Sequence, residues 1–369
     1  MDSELCSPEH QRSARRCKME DVRGLMYVGS LVFEHELNEL NEFMTYEELK
    51  ERQSWTLAQK IDHTLGVIEQ FRNHYDGKVY VAFSGGKDSC VMLNLVELII
   101  PNVPCMFIMT GCESPSVCRF VRQMKQEGHN IEITKPRKTL KQVFAECGFP
   151  LVSKKTAHHI MLVRHNPDTV TAKRLVDPKN KHRIPSKWLY LLNEPYEVSD
   201  RCCYWLKKTP SYDYGKRTGS YPFVGVMASE SDSRAAGYIL RGGCNSFTTS
   251  TNTHPASWPL AIWTEEDIWA YIKDRGLKIP DIYEKGATRT GCMGCGFGAH
   301  LDCSTLNVLQ RLWPKWYKMM MNYENNGVRY GDALRKAVER GRKFHKYEYD
   351  TSIQDVPSPQ LELFTDDFY

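Results

Sequence analysis

Two groups of residues in this 369-residue chain have types and spacings that suit chemistry. The first is SGGKDS, Ser84 to Ser89, set between a β-branched run and an apolar helical pattern. Gly85 and Gly86 let the backbone turn and come close to an anion. The N–H groups and dipole of a following helix then favour negative charge. Lys87 supplies a point charge, and Ser84 and Ser89 supply hydroxyl donors. The spacing is neither G-x-x-x-x-G-K-[ST] nor G-x-G-x-x-G. The second group is thiol. RCC gives Cys202 and Cys203, and TGCMGC gives Cys292 and Cys295, with 88 residues between the pairs. Four thiolates suffice for zinc or for a [4Fe–4S] cluster. Adjacent cysteines are unusual for zinc, whose ligand pairs normally stand two to four residues apart.

These groups need elements to hold them. Residues 79–83 read as a buried strand, and 88–100 as a helix that Pro101 ends. CMFIMT (105–110) reads as a second strand, and SPSVCRFVRQMKQEG as a helix from Ser114 to Gly128. NIEIT reads as a third strand. This β-α-β-α-β alternation predicts a parallel sheet, five-stranded or similar, with right-handed crossovers and helices on both faces. Ligands of such sheets bind beyond the carboxyl ends of the strands. Both SGGKDS and TGCES (Thr110 to Ser114) fall there. Upstream, Leu57, Ile61, Leu65 and Ile68 have helical spacing, with Ser54 as the expected cap. Residues 222–228 read as a further strand. TEEDIWAYIKDRG reads as a helix with Thr264 as N-cap, Asp267 at the third position and Gly276 as its stop. Residues 306–345 read as helix with Pro314 in a first turn, and the tail after Ser352 is acidic and aromatic. The expected organisation is a helical lead-in over 1–75, a nucleotide-binding and cysteine domain over 76–304, and a helical extension with its tail over 305–369.

Composition excludes some classes. Hydrophobic content is 41% and charged content 25%, ordinary for a globular chain. The longest apolar stretch, 91–110, is broken by Asn94, Glu97 and two prolines, so no membrane span is expected. The N-terminus has no apolar run of a secretory signal. Thirteen cysteines in such a chain predict a reducing, cytoplasmic setting and metal or redox chemistry. The net charge is only +4, yet 135–190 holds thirteen Lys and Arg, four His and three acids. That asymmetry predicts a solvated basic face or a polyanion nearby, such as a nucleic acid meeting Trp188 and Tyr190 at its end.

With these residues in hand, SGGKDS resembles the pyrophosphate loop of N-type ATP pyrophosphatases, on the adenine nucleotide α-hydrolase-like, Rossmann-like α/β fold. The resemblance implies that Ser84, Gly85, Gly86, Lys87, Asp88 and Ser89 hold the pyrophosphate of ATP, with Asp88 helping to hold Mg²⁺. It implies cleavage between the α- and β-phosphates, where fixed donors and a metal stabilise the departing pyrophosphate. CC followed by CxxC resembles the cluster motif of adenylyl-sulfate reductases, as do VGVMASESDSRA, WPLAIWTEEDIWAYI and IYEKGATRTGCMGC. The chain is thereby identified as a member of the phosphoadenosine-phosphosulfate (PAPS) reductase family, over roughly 75–300. GCMGCGFGAHLD and LQRLWPKWYKMMMN resemble a branch often carried on mobile elements. The resemblance implies Cys202, Cys203, Cys292 and Cys295 as cluster ligands, with zinc as the alternative. It implies Lys207 and Lys208 as positive charge beside them, and Arg234 as a phosphate- or sulfate-binding, catalytic residue alongside Lys87 and Asp88. Thr110, Gly111 and Glu113 fall in the family's second nucleotide loop, although Met109 stands where that loop has Asp.

Two departures shape the functional expectation. The family's reductases use a cysteine near the C-terminus, whereas the last cysteine here is Cys303. Cys112, Cys244 and Cys303 remain open as substitutes. The reductases also carry a degraded loop, whereas SGGKDS is intact. Together these imply an ATP pyrophosphatase-type enzyme that adenylates a substrate for iron–sulfur-dependent sulfur transfer. Nucleic acid is the candidate substrate, and a sulfur or electron donor protein the implied partner. A PAPS or adenylyl-sulfate reductase making sulfite is the alternative. A nucleotide-binding module with structural zinc is the third reading.

Overall fold

The computed structural model describes residues 44–249 and 254–342. Most of the expected lead-in and the acidic tail lie outside the described residues. A six-stranded sheet forms the centre, in the order β3-β2-β1-β4-β6-β5. Its strands are β1 (Val79–Phe83), β2 (Cys105–Ile108), β3 (Ile131–Thr134), β4 (Tyr221–Val224), β5 (Asn245–Ser246) and β6 (Ala256–Ser257). The pairings from β3 through β6 are parallel, and β5 joins the edge antiparallel. Val81 lies opposite both Cys105 and Phe223, so β1 is central. The sequence VYVAF suits that place, because a strand covered on both faces reads as one apolar run. The class is therefore α/β, as expected, with the antiparallel edge as an addition.

The strand order sets the location of the site. From β1 the chain moves outward through β2 and β3, then returns to the other side of β1 as β4. The carboxyl ends of β1 and β4 thus flank a topological switch point, where a crevice opens. The helices that cover the sheet are set by local signals. α1 (Tyr46–Gln53) and α2 (Leu57–His74) precede β1. Ser54 does not cap α2. It closes the C-terminus of α1, while Thr56 and Gln59 form the capping box of α2. α3 (Lys87–Ile99) follows β1 with Val91 and Leu95 fully buried. α4 (Pro115–Gln126) starts at Ser114 with Pro115 in its first turn.

The segment with weak periodicity folds into α5 (Leu140–Cys147), α6 (Lys154–His165) and α7 (Val170–Val176). A long helix follows as α8, built from Arg201–Cys203, a π-turn at Tyr204–Lys208, and Thr209–Thr218. β4 ends at Val224, so the strand expected over 222–228 is short; 225–227 is a loop and Ala228 starts a 3-10 turn. α9 is Asp232–Leu240, and α10 is Glu265–Arg275 with its expected Thr264–Asp267 capping box and left-handed Gly276. Lys60 is 2% exposed and reaches Asp267 at 2.5 Å, tying α2 to α10.

The C-terminal part comprises α11 (Ser304–Leu312), α12 (Pro314–Met321) and α13 (Tyr330–Arg342). The continuous helical reading of 306–345 is interrupted by a hairpin of β7 (Glu324–Asn325) and β8 (Val328–Arg329). Its turn is Asn326-Gly327, both with positive φ, which is the preferred chemistry for a two-residue hairpin. Asn325 fixes this hairpin to the body. Its amide donates to the Phe144 and Ala145 carbonyls at 2.9 Å and accepts from the Glu197 N–H at 2.8 Å.

Candidate active site at the strand ends

The chain turns sharply after β1. Gly85 has φ +70°, and a Cβ there would stand 2.8 Å from Val117 and Val121 of α4. Both sterics and backbone therefore require glycine. Gly86 is the N-cap of α3 and has no side chain to cap it, so the first amides of α3 depend on partners from outside the helix. The Lys87 N–H donates to the Tyr283 hydroxyl at 2.8 Å, and that hydroxyl lies 3.3 Å from Thr290 Oγ1. An oxygen thus already sits on the first amide of α3. Ser84 and Ser89 close the turn, with Ser84 Oγ 3.1 Å from Ser89 Oγ, which itself donates to the Gly86 carbonyl at 2.8 Å.

Lys87 is only 4% exposed. Its ammonium lies 3.1 Å from Asp88 and 3.4 Å from Glu265. Burial alone would lower its pKa, but Asp88 and Glu265 outweigh it and hold the group charged. Arg234 is ion-paired with Glu230 and feels the charge of Asp88. Lys87, Asp88 and Arg234 therefore share one neighbourhood. Tyr283, Thr290 and Glu265 also belong to it and were not anticipated. Only the quoted blocks IYEKGATRTG and TEEDIWAYI held a signal for them.

The second loop runs beside the first. Glu113 accepts from the Thr110 N–H at 2.9 Å and from Thr110 Oγ1 at 2.6 Å. Gly111 has φ +77°. Burial raises the pKa of Glu113, and charge on Cys292 adds to this. The loop's carbonyl at Cys112 accepts from the Met293 N–H at 2.8 Å, inside the CxxC turn. The TGCES loop and the CxxC turn are thus joined directly.

The four expected cysteines come together. Cys202, Cys203, Cys292 and Cys295 line one cavity of about 30 Å³ with Cys112, Lys207, Gly294 and Met320. The π-turn of α8 brings Lys207 to it, and such turns recur at functional sites. Lys208, its neighbour, is not among the cavity residues. A hydrogen bond from Cys202 is the main cause that lowers the Cys203 pKa to about 6. A hydrogen bond from Cys112 does the same for Cys292, also to about 6, with Lys207 assisting. Charge on Cys292 in turn holds Lys207 firmly protonated. Burial raises Cys295 to about 12. Among the described residues, no three His, Cys, Asp or Glu side chains converge on a single metal ion as they stand. The donor set still fits a soft metal group in number and kind, because four thiols face one chamber beside a cation. Cys244 and Cys303 do not line it. Cys244 lies beside His63, and Cys303 donates to the Ala299 carbonyl at 2.9 Å.

The chamber is roofed by the C-terminal helices. A Cβ on Gly294 would meet Met320 at 2.0 Å, and the Tyr330 hydroxyl donates to the Gly294 carbonyl at 2.8 Å. The basic segment reaches its rim, since Lys154 at the start of α6 acts on Cys203. Part of that segment is neutralised by Glu146 and Glu197. Lys154, Lys155, Lys173, Arg174, Lys179 and Lys181 are exposed.

The family model for the phosphoadenosine phosphosulfate reductase domain matches residues 78–296, and the chain belongs to that family. A Staphylococcus epidermidis protein named adenosine 5′-phosphosulfate reductase is 21% identical over 63% of this chain and 78% of its own length. An uncharacterized protein of Methanocaldococcus jannaschii is 22% identical over 71% of this chain, which spans only 45% of that relative's length. An uncharacterized 37.8 kDa protein of Escherichia phage 186 is 31% identical over 27% of this chain and 28% of its own length. Among solved structures, a phosphoadenylyl-sulfate reductase from Candida auris, crystallised as a phosphate complex, covers 68% of this chain and 97% of its own. Its TM-score is 0.39 at 13% identity. Among the described residues no helix is long and apolar enough to cross a membrane.

Proposed function

We propose that this family member is an adenine-nucleotide enzyme that cleaves Mg·ATP between the α- and β-phosphates and adenylates an acceptor for sulfur transfer. The observation that carries this reading is the intact loop, with a nearly buried Lys87 at the N-terminus of α3. The acceptor oxygen attacks the α-phosphorus, the α–β bridging bond breaks, and pyrophosphate leaves. The Lys87 and Asp88 amides and the Lys87 ammonium receive the charge that develops on it. Asp88 helps to hold Mg²⁺, Arg234 holds a further phosphate oxygen, and Thr110, Gly111 and Glu113 border the nucleoside. Tyr283 leaves the Lys87 amide as the phosphate arrives. A [4Fe–4S] cluster on Cys202, Cys203, Cys292 and Cys295, or zinc on the same thiols, supplies sulfur-binding or electron chemistry when bound. Lys207 stands between that chamber and Glu113 and draws the anion toward the thiols. The exposed lysines that begin at Lys154 favour a nucleic acid as the acceptor.

The family match favours a second reading, in which the substrate is already activated. PAPS or adenylyl sulfate then occupies the same loops, and an electron donor reduces its sulfur to sulfite. Equilibrium binding on anaerobically purified protein separates the two. The expected result is preference for Mg·ATP over both sulfonucleotides, lost in Lys87→Ala. Preference for a sulfonucleotide, with sulfite released when thioredoxin is added, overturns the ATP reading.

A further inference from the structure

We propose that Cys112 and Cys292 form a reversible disulfide that closes the thiol chamber to metal. Five cysteines face that chamber, one more than a four-thiolate site uses. The fifth, Cys112, comes from TGCES and not from either cysteine pair. It is 1% exposed and lines the same cavity as Cys292. The backbones are already joined one residue further on, through the Met293 N–H to Cys112 carbonyl bond of 2.8 Å. A disulfide needs Cα atoms roughly 4.4–6.8 Å apart, a separation that backbones joined this closely can meet. The TGCES loop is itself held in place by Glu113 on Thr110 and by Ser114 at the head of α4, so the pair stays in register.

The chemistry balances with a peroxide as oxidant. Cys292, the more exposed partner, attacks one peroxide oxygen, breaking the O–O bond and giving a sulfenic acid and hydroxide. The Cys112 thiol then attacks that sulfur, and water leaves. Two thiols lose two electrons in total and one peroxide gains them. The bond removes Cys292 from the metal-holding set and leaves three thiols. A dithiol reductant restores the chamber by exchange. The inference needs only the two thiols and stands whether the nucleotide is ATP or a sulfonucleotide.

The test is disulfide mapping of metal-free full-length protein, treated with hydrogen peroxide, alkylated, and digested without reduction. The expected result is one crosslinked peptide pair, Cys112 with Cys292, with Cys202, Cys203 and Cys295 alkylated. Zinc uptake by the oxidised protein is expected to fall at least about tenfold and to return with dithiothreitol. Cys112→Ser is expected to lose the crosslink and keep its uptake after the same treatment. A Cys202–Cys203 or Cys292–Cys295 bond, or none, overturns the proposal. The wild-type map alone decides if the variant does not fold.

Discussion

At the scale of single residues, Gly85 is the most constrained position beside the site. Its φ of +70° and the two valine methyls at 2.8 Å leave no room for a side chain. Gly85→Ala is expected to destabilise the fold by about 2–4 kcal/mol, from left-handed strain and overpacking together, read as a lower urea midpoint. His159 gives a pH-dependent expectation. Burial lowers its pKa from 6.5 to about 4, and Lys155, His158 and His182 push the same way. The unfolded chain therefore takes up this proton first as pH falls. The stability that neutral His159 contributes is complete above 6.5 and is lost between 6.5 and about 4. His159→Asn is expected to flatten the urea midpoint between pH 7 and pH 5 relative to the parent chain. The glycines, Lys87 and the four cysteines were legible in sequence because each has a type that few other roles require. Tyr283 and Thr290 were legible only through the block IYEKGATRTG that holds them, because the fold alone sets the tyrosine hydroxyl on the Lys87 amide and the threonine beside that hydroxyl.

At the scale of elements, the sequence was most readable where capping and apolar runs agree. β1 and α10 stand where VYVAF and TEEDIWAYIKDR place them. Reading failed where periodicity was weak, as over α5 to α7, and at the hairpin that interrupts the last helices. There tertiary contacts decide the outcome. Asn325 is 2% exposed and satisfies three backbone groups that no local partner reaches. Asn325→Ala is expected to cost about 2–3 kcal/mol, since it leaves buried carbonyls unpaired. The π-turn in α8 was equally invisible, since YWLKK has no helix breaker. Its effect is to turn Lys207 toward Cys292. Lys207→Met is expected to weaken anion binding near the thiols at least about tenfold while leaving the free energy of urea unfolding within about 1 kcal/mol. Titration with sulfite as the probe anion checks this.

At the scale of the whole molecule, charge and topology meet at one rim. The strand order puts its switch point beside β1, the cysteine chamber lies next to it, and the basic segment meets that chamber at Lys154. If nucleic acid is the acceptor, Lys173→Glu with Arg174→Glu lowers single-strand affinity. The slope of log K against log salt then falls by about 0.7 for each phosphate no longer neutralised. A salt-independent affinity, unchanged in the double variant, assigns the segment to solvation alone. The charge imbalance was countable from the sequence, but its place beside the thiols was not, because that depends on how α6 docks against α8.

The roof over Gly294 sets an order of events in the life of the chain. Met320 and Tyr330 belong to helices made after Cys295, the last of the four expected ligands. Met320 lines the thiol cavity and Tyr330 holds its CxxC turn. Thiols loaded before these helices are made need no later opening of them, whereas a finished chain loads through whatever local opening the two helices permit.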